Sequence, residues 1–169
     1  MAERRCILGI DPGLAHSGWG LVSQQGGHLS CIAYGCIVTT ADQPLHDRLG
    51  KIYRQMAAVV ARYEPTCIGI ETVWFGTNAP SAFATGQARG AALAACAQDD
   101  VALQEFSPSQ IKLAVVGAGS ADKAQVQYMV QQLLGLEQPP RPDHAADALA
   151  AAITFATHDV SLLERRGTR

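Results

Sequence analysis

Three places in this chain offer carboxylates to chemistry. Asp11 closes the apolar run Cys6-Ile-Leu-Gly-Ile-Asp11 and is followed at once by Pro12-Gly13. Glu71 closes a second run, Cys67-Ile-Gly-Ile-Glu71, and leads into Thr72-Val-Trp74. The cluster Asp143-His-Ala-Ala-Asp147 lies far downstream, at the start of an apolar stretch. A carboxylate at the end of a buried strand must pair, bind a cation or leave the core, because desolvating it alone costs several kcal/mol. Brought together by the fold, the three places would make a cage for Mg²⁺ or Mn²⁺, a site suited to phosphate hydrolysis.

Each place also has a plainer explanation. Asp11 before Pro-Gly fits a turn aspartate bonding its own backbone, and Glu71 fits an ion pair with a buried arginine. In the third cluster, His144 with Asp147 (i, i+3) and Asp143 with Asp147 (i, i+4) would each share one helix face. Asp143, directly after Pro142, is a good N-cap, so capping is assigned to Asp143 and the metal site to His144 with Asp147. A neutral imidazole suits a transition metal better than an all-carboxylate cage does, which favours Mn²⁺ over Mg²⁺.

The elements that would hold these groups can be read from periodicity and turn signals. Arg5–Ile10, Gly18–Val22 and Leu29–Val38 read as strands, the last two separated by Gln24-Gln-Gly-Gly27, and their close spacing predicts an antiparallel meander. Leu45, Leu49, Ile52, Met56, Val59 and Val60 recur at helical spacing between Pro44 and Tyr63, and Pro65 enforces a stop. Thr66–Val73 is a fourth strand, Ser81–Gln98 an Ala-rich helix and Val101–Glu105 a fifth strand. Helices are expected over Ser107–Val116, over Ala121–Leu134 with Ser120 as cap, and over His144–His158 after the rigid break Pro139-Pro-Arg-Pro142. Strands followed by alternating helix and strand predict an α/β fold, a five-stranded mixed sheet with helices on both faces.

At 169 residues, 48% hydrophobic and 17% charged, the composition is that of one folded domain, here residues 1–158 with a polar tail over 159–169 that frays. A net charge of −2 does not announce a nucleic-acid binder, so any DNA surface must come from local clusters or bound cations. No apolar run approaches the ~20 residues needed to span a bilayer. The five cysteines form no Cys-x-x-Cys pair and sit mostly in apolar runs, which fits reduced core thiols. The expected location is the cytoplasm.

With these residues in place, the chain resembles the RuvC-type Holliday junction resolvases, crossover junction endodeoxyribonucleases of the RNase H-like fold. The resemblance rests on Gly9-Ile-Asp-Pro-Gly13 with Gly18-Trp-Gly20, Glu71-Thr-Val-Trp74 with Asn78 and Ser81, and Gly86-Gln-Ala-Arg-Gly90. It continues through Lys112-Leu-Ala-Val-Val-Gly117, Lys123-Ala-Gln-Val126 with Met129-Val130, and Ala145-Ala-Asp-Ala-Leu-Ala150. The order holds from about Ile7 to His158. The resemblance implies metal-dependent, symmetric nicking of opposing strands of a four-way junction in recombination and DNA repair, leaving 5′-phosphate and 3′-hydroxyl ends. It implies two Mg²⁺ or Mn²⁺ ions per site and catalytic, metal-binding positions at Asp11, Glu71, His144 and Asp147. Many members carry aspartate where this chain has His144, which leaves the neighbouring Asp143 as the alternative ligand. It also implies a homodimer and delivery of the junction by the RuvA–RuvB branch-migration complex.

The same resemblance places a stacking aromatic at Trp74 and DNA-facing lysines at Lys112 and Lys123, with Arg89 in the Gly-Gln-Ala-Arg-Gly segment. Lys123 in a first helical turn opposes the helix dipole but adds charge to an anion site. Arg89 could instead be the structural partner of a carboxylate. Ala82, Gly86, Gly90 and Ala94 form a ridge of small residues, read first as packing on the chain's own sheet and second as a contact with another copy. An actin-like ATPase is the nearest rival, but it needs a second phosphate loop and a longer chain. A junction-binding module would have no use for the three carboxylates, and an RNase H-like ribonuclease shares them without the whole-chain motif order.

Overall fold

The first strand, β1 (Arg4–Asp11), pairs antiparallel with β2 (His16–Gln25), which pairs antiparallel with β3 (His28–Val38). The meander turns tightly at Gly26, whose φ of 61° suits glycine. Helix α1 (Leu45–Tyr63) then carries the chain to β4 (Cys67–Glu71), which returns parallel to β1. Helix α2 (Ala79–Cys96) leads to β5 (Ala102–Phe106), parallel to β4, and α3 (Pro108–Val116), α4 (Lys123–Leu133) and α5 (Asp143–Arg166) follow. The sheet order is β3-β2-β1-β4-β5. This computed structural model describes residues 4–72, 79–97 and 101–166, with side chains to His158 in the last helix.

The two faces of the sheet bury separate cores, as the alternation of side chains along strands requires. Ile7, Val22, Cys67 and Phe106 face α3, α4 and α5, whereas Leu8, Ile10, Leu21, Ile68 and Ile70 face α1 and α2. Helix α1 buries Ile52, Met56, Val59 and Val60 and ends at a left-handed Glu64 just before Pro65. The expected mixed sheet with helices on both faces is the one found.

Helix α5 lies directly on the sheet, and glycine makes this possible. A Cβ at Gly9 would run into the Ala148 carbonyl oxygen, and one at Gly18 into that of His144. Residues Ala145–Ile153 of this helix are almost all fully buried. The same close approach sets the height of His144 and Asp147 above the strand ends.

Element boundaries differ from expectation where caps decide them. The cap of α4 is Asp122, not Ser120: its carboxylate accepts from Gln125 N–H at 2.8 Å, and the Gln125 side chain accepts from Asp122 N–H at 2.9 Å. That reciprocal arrangement satisfies two helix-end groups and starts the helix at Lys123. Helix α5 begins at Asp143 itself, and Ala145 N–H donates to Pro142 O at 2.9 Å, so Asp143 is not the residue before the helix. The helix also runs past His158 to Arg166.

Candidate active site

Asp11 and Glu71 end neighbouring parallel strands whose register aligns Ile10 with Ile70. Counting along each strand in steps of two, Asp11 follows Ile7 and Gly9, and Glu71 follows Cys67 and Gly69, so both carboxylates project to the α5 side. The carboxyl ends of parallel strands are where open α/β sheets present their sites. The first turns of α5 arrive at the same edge. His144 Nδ1 sits 2.8 Å from Asp11 Oδ2, and one ligand atom each from Asp11, His144 and Asp147 lies within 4.8 Å of the others. The amino end of α5 adds partial positive charge beneath these acids.

The turn that follows Asp11 is tied in place from two sides. Buried Ser17 donates its hydroxyl to Gly13 O at 2.6 Å, and Thr39 Oγ1 donates to Leu14 O at 2.6 Å. Thr39 N–H donates to Ala15 O at 2.9 Å. Such bonds leave the strand end little freedom to carry Asp11 away from α5.

Electrostatically the cluster holds more negative charge than its own cations neutralise. Burial pushes the Asp11 carboxyl above its ordinary range, opposed by the bond from His144 and reinforced by Asp147. Glu71 is pushed up to about 7 by burial and by the charges of Asp11 and Asp147, with Lys112 and Lys123 acting in the opposite direction. Lys123 Nζ lies 3.2 Å from Asp147 Oδ2 and 3.6 Å from Asp143 Oδ2. Partial burial works against the Lys123 charge, but Asp147 and Asp143 outweigh it and hold its pKa above the usual lysine value.

The donor set fits a divalent cation. Three carboxylates and an imidazole converge on one edge, Asp11 and Asp147 are mostly shielded from solvent, and the strain on Glu71 is of the kind a nearby cation relieves. Asp143 stands apart from the compact trio. Its carboxylate is held low by Gln127 first, then by Lys123 and Arg141, the latter at 3.3 Å.

The remaining sequence candidates fall in different surroundings. Lys112 and Lys123 line one hollow of about 200 Å³ together with Glu71, Asp147, Ile111 and Val126. Arg89 places Nη2 2.8 Å from Glu105 Oε1 on β5, the carboxylate partnership that its sequence context allowed. Trp74 lies outside the described residues. The small-residue ridge does not pack on the sheet: Ala82 is buried, but Gly86, Gly90 and Ala94 face outward beside Phe83, which is 65% exposed. Helix α2 instead buries Ala88, Ala92, Ala95 and Cys96.

His16 escaped the sequence reading. Its ring stacks on that of His144 with centroids 5.2 Å apart and planes 7° from parallel. The available signal was the Asp-Pro-Gly turn itself, which folds the first residue of β2 back beside the end of β1.

Against this geometry, comparison with known proteins is specific. A model of the RuvC family, described as crossover junction endodeoxyribonuclease RuvC, matches residues 7–155. The crossover junction endodeoxyribonuclease RuvC of Treponema denticola is 48% identical over 151 residues, covering 89% of this chain and 85% of that protein. The protein of the same name from Heliobacterium modesticaldum is 48% identical over 150 residues, covering 89% and 93%. T. thermophilus RuvC in complex with Holliday junction substrate superimposes with a TM-score of 0.86 at 34% identity, covering 92% of this chain and 94% of that one. The yeast mitochondrial Holliday junction resolvase shares the fold, with a TM-score of 0.68 at 14% identity, covering 95% and 81%.

Proposed function

The chain belongs to the RuvC family of crossover junction endodeoxyribonucleases, and on that premise we propose that it resolves four-way DNA junctions by symmetric nicks in opposing strands. The observation that carries this reading is the convergence of Asp11, Glu71, His144 and Asp147, from three separate elements, at one edge of the sheet.

Asp11, His144 and Asp147 would hold one Mg²⁺ or Mn²⁺, and Glu71 would join Asp11 in holding a second. Bound there, divalent cations supply an activated water and stabilise the leaving oxygen of an in-line phosphodiester displacement. The protein's own part is placement. The glycine-floored contact of α5 with β1 and β2 fixes the height of His144 and Asp147, and the tied turn after β1 fixes Asp11. The imidazole in the set favours Mn²⁺ over Mg²⁺. Turnover at matched free ion tests this, and equal or better rates in Mg²⁺ would refute it.

Lys112 and Lys123, beside Glu71 and Asp147, are suited to receive the phosphates of the cut strand. Lys123 pairs with Asp147 and Asp143 in the protein alone and would turn to phosphate once cations occupy the acids. Trp74, from the segment after β4, would stack on a base, a contact worth about 1–3 kcal/mol. Replacing Trp74 with alanine should weaken cutting without changing metal affinity. Arg89 pairs with Glu105 in the protein alone and would exchange that carboxylate for a phosphate of the strand.

Symmetric nicking needs two sites, and a two-fold homodimer matches the two-fold symmetry of a junction. The outward ridge of Gly86, Gly90 and Ala94 with Phe83 allows close approach of a second copy along α2. Sedimentation at micromolar concentration checks this, with Phe83→Glu expected to shift dimer to monomer. In the cell, the reading places the enzyme in the cytoplasm, receiving junctions from the RuvA–RuvB complex. Among the described residues no helix is long and apolar enough to cross a membrane. The function itself is tested by end-labelling each strand of a synthetic junction and mapping the nicks. Paired cuts at equivalent positions on opposing strands are expected, and unpaired or scattered cuts would refute symmetric resolution.

A further inference from the structure

A second hollow meets the acidic cluster from another side. The Lys112 and Lys123 hollow shares Glu71 and Asp147 with the cluster, whereas a groove of about 420 Å³ shares His144. Gly13, Leu14, Ala15 and His16 form one wall of this groove, Ser81, Ala84 and Thr85 of α2 form another, and Arg48 of α1 completes it. Among the described residues, no carboxylate lines it. Ser81 and Thr85, from the first two turns of α2, bring hydroxyl-bearing side chains to the groove wall.

Arg48 is held rather than free to wander. Its Nε donates to Thr39 Oγ1 at 2.8 Å, and Thr39 Oγ1 in turn donates to Leu14 O in the turn behind Asp11. One edge of the guanidinium is thereby fixed to the frame that positions the metal site. Among the described residues, its two terminal nitrogens make no hydrogen bond and meet no carboxylate at ion-pair distance. An exposed acid, Asp42, feels the Arg48 charge without closing on it. A guanidinium with one edge anchored and the other open is built to present paired donors to an oxyanion such as phosphate.

Building on the resolvase reading, we propose that this groove is a second phosphate subsite, in which Arg48 grips a backbone phosphate of the cut strand next to the scissile one. The strand would enter over Lys112 and Lys123, pass the carboxylates and leave along Arg48 and His16. The stack of His16 on His144 makes one continuous floor from the metal ligands into the groove. With Arg48 and no carboxylate in its lining, the groove suits an anion better than a further metal ion. Contiguity with a hydrolytic centre selects a phosphate that is part of the substrate.

Two substitutions separate charge from scaffold. Arg48→Gln keeps a donor for Thr39 and loses the charge; Arg48→Lys keeps the charge and loses the anchored edge. Binding of a labelled four-way junction would be measured in Ca²⁺ between 50 and 200 mM salt, for both variants and the parent. The parent and variants would also be tested on junctions bearing one uncharged methylphosphonate at each position flanking the cut. One lost phosphate contact lowers the slope of log affinity against log salt by about 1. That loss is expected for Arg48→Gln and not for Arg48→Lys. One methylphosphonate position beside the cut should weaken the parent and have no further effect on Arg48→Gln, the non-additivity of a shared contact.

An unchanged slope in Arg48→Gln, or full methylphosphonate sensitivity retained by it, overturns the subsite. Equal loss of slope in both variants also overturns it, because that pattern follows the scaffold and not the charge. If inorganic phosphate displaces nothing from the parent while the methylphosphonate effect is present, the subsite belongs to the strand. Displacement by phosphate without that effect makes it a free-anion site and refutes the proposal as stated. A parent protein that neither binds nor cuts the junction would instead reject the resolvase reading itself.

Discussion

Asp11 Oδ2 and His144 Nδ1 meet at 2.8 Å although 133 residues of chain separate them. The contact exists because β1 and β2 carry glycine where the α5 backbone descends, so the helix places its first turn on the strand end. A pair that holds an imidazole ring in one orientation also sets which nitrogen is offered to a ligand.

The first expectation separates His144 from its neighbour. His144→Ala should lower Mn²⁺ affinity by about 100-fold or more, the upper end of what even outer groups contribute. Asp143→Ala, which removes a hydrogen bond with Gln127 and exposed pairs with Arg141 and Lys123, should lower it less than about threefold. Calorimetric titration with MnCl₂ alone reads both, and the reverse order would move the ligand role to Asp143.

Glu71 makes the cation-free protein pH-sensitive. Its folded value of about 7 lies above the ordinary 4.5, so across that window the folded chain retains a proton that the unfolded chain has released. Stability therefore falls as pH rises from 4.5 towards about 7, and the loss is complete above it. Asp11, also raised, contributes with the same sign. Glu71→Gln should flatten this dependence and stabilise the cation-free protein at pH 8 by about 1–2 kcal/mol, after discounting for solvent screening. Thermal melts in EDTA from pH 5 to 8 check it; a parent whose Tm rises with pH across this range would contradict it. The same substitution should abolish cutting.

Much of this site is legible in the chain's own residue pattern. Apolar runs ending abruptly in Asp11 and Glu71 are a strand-end signal that periodicity carries well, and the helical spacing of His144 and Asp147 is local. What is not legible depends on long-range packing. The glycines at 9 and 18 announce close approach but not of what, and only the seated helix α5 identifies their neighbour. The Asp122–Gln125 box competes with Ser120 for one helix end, and two reciprocal bonds outweigh a single hydroxyl. The outward face of Gly86 and Gly90 runs against the sequence expectation because small residues pack equally well on a sheet or on another molecule. His16 and Arg48 carry no spacing signal, since their neighbours come from other elements.

The lysines beside Glu71 and Asp147 should separate in their effects. Lys123→Ala removes both a phosphate contact and the cation nearest Asp147, and should lower the salt slope of junction binding by about 1 and turnover by about 10²–10³-fold. Lys112→Ala should reduce the salt slope by a similar amount but leave saturated turnover within a few fold. Single-turnover cleavage with binding isotherms at several salt concentrations distinguishes the two, and identical behaviour would contradict separate roles.

Gly18→Ala tests the seating of α5. The added methyl meets the His144 carbonyl oxygen, which is backbone and cannot rotate away. Overpacking commonly costs about 1–3 kcal/mol, and a backbone clash should reach at least the upper end. A fall in Tm together with a fall in Mn²⁺ affinity is expected. A Tm loss with unchanged metal affinity would show that His144 is not positioned by this contact.

The central claim is tested most directly by cleavage of an immobile synthetic four-way junction in Mn²⁺, Mg²⁺ and EDTA. Matched linear duplex and RNA–DNA hybrid serve as competing substrates, and Asp11→Asn as the variant. Paired nicks on the junction alone, dependent on divalent cation and absent in Asp11→Asn, are the expected result. Junction binding without cutting in either metal, or cutting of the hybrid in preference to the junction, would contradict the account.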